Sequence, residues 1–133
     1  MVKKNFKEIL NLTNESMEDL RYVAYSYLRA GKYDLATLFF ESLLILNNEQ
    51  SYDLKTLGAL YLQQGDNVKA LDLLDKALKK EKDFFAMLNR AKALLGLGYK
   101  KQALIQAQAI VNCEEKNISS QAAAIIEQYT QST

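Results

Sequence analysis

Apolar residues recur at helical spacing through most of this chain, and a single glycine interrupts the pattern at regular intervals. AYSYLRAGKYDLATLFFESLL, ALYLQQGDNVKALDLLDKAL and AKALLGLGYKKQALIQAQAIV repeat one phrase around Gly31, Gly65 and Gly98, which stand 34 and 33 residues apart. Each glycine ends one apolar helical run and precedes an alanine five residues on, so each unit reads as two helices joined by a short turn. So short a connection makes the two helices antiparallel neighbours. The pattern predicts first helices over 17–30, 51–64 and 84–97, and second helices over 34–47, 67–80 and 100–112. Such units cannot bury their apolar faces alone and must stack.

Small residues recur in step with the glycines. Ala24, Gly58 and Ala91 lie seven residues before them, and Ala36, Ala70 and Ala103 five after. At these points two helix backbones can approach closely. Larger fillers surround them: Leu20, Tyr27, Phe40 and Leu44, then Leu54, Tyr61, Leu74 and Leu78, then Met87, Leu94, Ala107 and Val111.

Both ends carry one further helix each. Residues 3–12 place Phe6, Ile9 and Leu10 at helical spacing, and TNES breaks the run. Ser16 with Asp19 has the form of a capping box, which sets the next helix start near Met17. Over 118–130, Ala122, Ile125 and Ile126 share one side, with Gln121, Glu127, Gln128 and Gln131 elsewhere, as in a terminal cap. The chain divides into an N-terminal helix (3–12), repeats over 17–50, 51–83 and 84–116, and a capping helix within 117–133.

Composition supports an all-α reading. The 133 residues make one domain, with no proline and only five glycines to punctuate sheets or long loops. Seventeen basic and sixteen acidic residues are interspersed, so no broad positive field favours nucleic acid. KKEKD at 79–83 and the cluster of Lys3, Lys4 and Lys7 read as solvated helix surface. No apolar stretch is long enough to span a bilayer and no signal-peptide core is present, so a cytoplasmic protein without membrane insertion is expected. The N-x-[ST] triplets at Asn11, Asn14 and Asn117 are then chance matches.

The chain is poor in catalytic chemistry. It has no histidine, and Cys113 stands alone, which rules out an intramolecular disulfide or a cysteine metal site and leaves the thiol without an obvious activating partner. Asp72 and Asp75 read as solvated carboxylates on the outer face of a second helix. GLG at 96–98 joins two helices and lacks the third glycine of a dinucleotide fingerprint. No catalytic residue, cofactor or metal is expected, and the chain is read as non-enzymatic. Among the eight tyrosines, Tyr27, Tyr33 and Tyr61 fall at inter-helix packing positions, whereas Tyr25 lies on a different helix face from Tyr27.

The motif resembles the tetratricopeptide repeat. Repeat 1 supplies Leu20, Val23, Ala24, Tyr27, Gly31, Tyr33, Ala36 and Phe40, and repeat 2 supplies Leu54, Leu57, Gly58, Tyr61, Gly65, Ala70, Leu74 and Ala77. Repeat 3 departs from it, with Arg90 where leucine is usual and Lys100 where an aromatic is usual, and Asn48 and Lys82 replace the common proline. The resemblance spans 17–116 and implies a right-handed helical solenoid of three helix pairs, whose first helices line a concave groove. Position by position it implies a groove of Arg21, Tyr25, Leu28 and Arg29, then Lys55, Ala59, Leu62 and Gln63, then Leu88, Lys92 and Leu95. This apolar track with a few cations suits an extended or helical peptide. Tyr25 and Ala59 stand where carboxylate-clamp repeats need asparagines, which argues against heat-shock chaperone tails as the ligand.

A narrower likeness is to the class II chaperones of type III secretion, cytoplasmic three-repeat proteins that hold translocators in a non-aggregating form. It rests on Tyr25 and Leu28, the turn Gly31, Lys32 and Tyr33, and on Ala59 and Leu62. Chaperones of the secretion needle subunit are a close variant. The alternative is an adaptor or assembly factor that joins folded partners. Partner identity, a homodimer and occupancy of the groove by the N-terminal helix are left open.

Overall fold

The computed structural model of the chain describes residues 14–47 and 50–131. Among these residues seven helices follow one another: α1 (Asn14–Arg29), α2 (Tyr33–Leu46), α3 (Ser51–Gln63), α4 (Asn67–Lys80), α5 (Phe84–Gly96), α6 (Lys100–Ile110) and α7 (Lys116–Gln131). The expected helix over 3–12 and the proline-replacing Asn48 lie outside the described residues.

All three pairs turn by the same device. Gly31, Gly65 and Gly98 adopt φ values of +76°, +85° and +88°, in the left-handed region that only glycine enters without steric cost. In each turn the glycine N–H donates to the carbonyl three residues back, and the next N–H donates to the carbonyl five back. These bonds run from Gly31 to Leu28 (3.1 Å) and Lys32 to Tyr27 (2.9 Å), and recur from Gly65 to Leu62, Asp66 to Tyr61, Gly98 to Leu95 and Tyr99 to Leu94. This Schellman closure satisfies the last carbonyls of the first helix. Lys32, Asp66 and Tyr99 serve at once as N-caps of the second helices, which leaves no room for a longer loop.

The periodic small residues sit at the helix crossings. Ala24, Ala36, Ala70, Ala91 and Ala103 are wholly buried. At Gly58 an added Cβ would lie 2.9 Å from Leu74 Cγ, so α3 and α4 approach more closely there than alanine would allow. Three apolar clusters follow along the stack. The first joins Ala24, Phe40, Leu43 and Leu57, the second Ala70, Leu74, Ala86 and Ala93, and the third Leu88, Ile110, Ile118 and Ile125. Tyr27 stacks on Phe39 with ring centroids 5.4 Å apart.

Several positions differ from expectation. Asn14, Glu15 and Ser16 are already helical, so Ser16 lies within α1 rather than capping it. Tyr33 opens α2 and is 39% exposed rather than packed between helices. Arg90, at the family's leucine position, donates from Nε to Asp75 Oδ1 (2.7 Å) and from a terminal nitrogen to Gln106 (2.9 Å). An α4–α5–α6 polar brace thus replaces an apolar contact, and Asp75 is part of it rather than free surface. Asp72 stays exposed and pairs with Lys76 one turn on.

Candidate functional site

The first helices α1, α3 and α5 line one face of the stack and enclose a cavity of about 350 Å³ there. Its walls include Tyr25 and Leu28 from α1, Tyr52, Lys55, Ala59 and Gln63 from α3, and Phe85 from the first turn of α5. Five residues expected from repeat positions therefore meet in one place: Tyr25, Leu28, Lys55, Ala59 and Gln63. Arg29 stands at the rim, exposed, with its guanidinium carbon 5.8 Å from the Tyr25 ring centre.

Tyr52 and Phe85 were not expected, although each stands thirteen residues before its loop glycine. That recurrence of an aromatic at one repeat position was a legible signal, lying one turn beyond the implied groove positions. Tyr52 touches Phe40 edge-on at 6.2 Å, which fixes its ring from beneath, while Phe85 is exposed. Burial pushes the Tyr52 phenol above its ordinary pKa, so it remains a neutral hydrogen-bonding group at physiological pH.

Three of the four expected groove cations, Arg21, Lys55 and Lys92, are hydrogen-bonded within the chain. Arg21 donates two bonds to Asp53, at 2.8 and 2.9 Å, and also contacts Glu18. Asp53 has no exposed surface, so this fork ties α1 to α3 from inside. Its hydrogen bonds to Asp53 hold the Arg21 guanidinium well above its ordinary pKa. Lys55 Nζ lies 2.6 Å from Asp83 Oδ2, which ties α3 to α5, while Asp83 Oδ1 accepts from the Ala86 N–H (2.8 Å) and caps α5. Burial alone would raise the Asp83 carboxyl; the bonds from Lys55 and the helix backbone outweigh it and hold the group below the usual carboxylate range. Lys92 donates to Gln121 of α7 at 2.7 Å.

The third-repeat positions do not join the cavity. Leu88 is 2 % exposed, and it shares a core cluster with Ile118, Ala122 and Ile125 of α7, with Leu95 packed beside it. Leu88 therefore cannot reach a partner in the groove, and α7 is a wall of the stack rather than a distant lid. Leu62 is half-buried against the second cluster, beside Ala86 and Ala93 rather than on the cavity wall.

Comparison with known proteins bears on the architecture. No protein-family model matches the chain. Anaphase-promoting complex subunit 3 of Schizosaccharomyces pombe is 32% identical over 85 residues, which is 63% of this chain and 13% of that protein's length. The Yersinia enterocolitica type III secretion chaperone SycD, in complex with a peptide of the translocator YopD, superposes with a TM-score of 0.80 at 22% identity, covering 90% of this chain and 96% of SycD. PcrH of Pseudomonas aeruginosa, in complex with the chaperone-binding region of PopD, gives 0.78 at 21% identity, covering 91% and 96%. The first TPR of Spaghetti (RPAP3), bound to the HSP90 peptide SRMEEVD, gives 0.78 at 16% identity, covering 91% and 95%. Near-complete coverage in both directions at TM-scores of 0.78 to 0.80 gives this chain the tetratricopeptide-repeat fold.

Proposed function

We propose that this protein is a non-catalytic binding module that receives an apolar segment of a partner protein in the cavity between α1, α3 and α5. The observation that carries the reading is the pairing state of that cavity. Tyr25, Tyr52 and Phe85 offer aromatic surface that the core does not consume, while Arg21 and Lys55 are neutralised by Asp53 and Asp83. Aromatic rings that present area at low entropic cost, beside few free charges, suit an uncharged apolar segment better than an acidic tail. Asparagines are absent from the two clamp positions, occupied by Tyr25 and Ala59, which favours the same partner chemistry.

The finer reading is a small cytoplasmic chaperone that holds a type III secretion protein, of translocator or needle class, until export. The likeness to SycD and PcrH, solved with segments of YopD and PopD, supports it. No helix among the described residues is long and apolar enough to cross a membrane, which accords with this setting.

The test is affinity capture from the native cell with the wild-type chain and with Tyr25→Ala combined with Phe85→Asp. Both side chains are exposed, so circular dichroism and melting are expected to stay near wild type. Loss of an aromatic anchor and insertion of an unpaired charge should each weaken binding by about 2 kcal/mol or more. A captured secreted protein that the double variant releases supports the chaperone reading; undiminished capture moves the site off the groove, and a soluble folded partner favours an adaptor.

A further inference from the structure

Shifting the sequence by one repeat period assigns a place to the residues ahead of α1. A shift of 34 carries Phe40 onto Phe6, Leu43 onto Ile9 and Leu44 onto Leu10. In the fold, Phe40 and Leu43 are fully buried and share a cluster with Leu57, the α3 residue through which repeat 2 rests on repeat 1; Leu44 packs beside them. The same shift carries Leu57 onto Val23, which is 40% exposed and has no counterpart of Phe40 and Leu43 above it among the described residues.

The rest of that wall behaves likewise. Across the groove between α2 and α4, repeat 2 presents Tyr61, Leu73, Lys69 and Asp72 to the preceding repeat. Their counterparts are Tyr27, Phe39, Leu35 and Leu38. The two charged rim positions have become leucines, 40% and 57% exposed. Repeat 1 thus presents an apolar wall on the side where a preceding second helix belongs, and it is more apolar than the equivalent wall inside the stack.

We propose that residues 2–12 dock on this wall as the second helix of an incomplete repeat, with Phe6 and Ile9 covering Val23 as Phe40 and Leu43 cover Leu57. The connection permits it: Phe6 and Val23 are 17 residues apart, as are Phe40 and Leu57. A tether this short holds the segment at an effective concentration in the millimolar range, which favours it over a second copy of the chain at ordinary protein concentrations. Docked there, the segment closes the open end of the stack as α7 closes the other.

The experiment uses the full chain with Cys113→Ser, Ile9→Cys and Val23→Cys, treated when dilute with a short bismaleimide. Trypsin should then release residues 8–21 joined to 22–29, from protein of monomer mass. Dimer-mass product alone would put a second copy on the wall, and absence of the link in a chain that melts like wild type would leave the segment elsewhere; either result overturns the proposal. A second measurement needs no cysteines. Phe6→Ala and Val23→Ala should each lower the melting temperature by a few degrees, and together by clearly less than the sum, because each removes the other's partner. Strict additivity would also overturn the proposal.

Discussion

Arg21 and Asp53 form the costliest pairing in the described stack, because the carboxylate has no exposed surface and the guanidinium is its charge partner. Arg21→Leu should destabilise the chain by about 3–5 kcal/mol, since it leaves a buried charge uncompensated. Arg21→Leu combined with Asp53→Leu should recover most of that loss, and urea denaturation of both variants checks the prediction. Asp83 predicts a pH dependence. Its folded pKa lies below the ordinary value, so the unfolded chain takes up the proton first, and the stability it contributes at neutral pH is lost as pH falls through the folded pKa. Asp83→Asn keeps an N-cap acceptor but loses the bond to the charge of Lys55. The variant should be less stable by about 0.5–1 kcal/mol at pH 7 and indistinguishable from wild type near pH 2, as read by melting across that range. Tyr61, by contrast, is held protonated by burial and by its hydrogen bond to Glu41, so it contributes no step in that window.

At the scale of elements, the glycines do two different jobs, and substitution by alanine separates them. Gly65→Ala keeps open space around the new Cβ but forces a left-handed alanine at φ +85°, at a cost of about 1–2 kcal/mol. Gly58→Ala gains about 1 kcal/mol of helix propensity, yet its Cβ would press on Leu74 at 2.9 Å. Overpacking of about 1–3 kcal/mol should match or outweigh that gain. Chemical denaturation should therefore find Gly65→Ala destabilised, and Gly58→Ala no more stable than wild type despite its better helix propensity. An increase in stability at position 58 would mean that α3 and α4 cross elsewhere. The same close crossing draws the pair together and directs Tyr52 and Ala59 of α3 to the cavity.

Across the whole molecule, α7 covers the apolar side of the third helix pair. Deleting residues 117–133 should expose Leu88, Ala91 and Ile110, which now share a cluster with Ile118, Ala122 and Ile125. Sedimentation or light scattering should then find aggregation, and a truncated chain that stays monomeric with an unchanged melting temperature would contradict the capping role. Much of this architecture is legible in the sequence, because it rests on local devices. A glycine can enter the left-handed region, an alanine can sit at a crossing, and apolar spacing of a helical period marks a buried face; each acts within one or two turns and repeats every unit. The turns at Gly31, Gly65 and Gly98 follow from that, whereas the five cavity residues came from the resemblance to the tetratricopeptide repeat, position by position. What only the tertiary structure decided is which side chains remain free. Arg21 and Lys55 occupy groove positions but find carboxylates 32 and 28 residues away, and Leu88 is buried by a helix beyond its own repeat. Repeat position fixes the direction in which a side chain points; the charge or apolar face that meets it comes from distant parts of the chain, and burial and pairing are settled only when those parts pack.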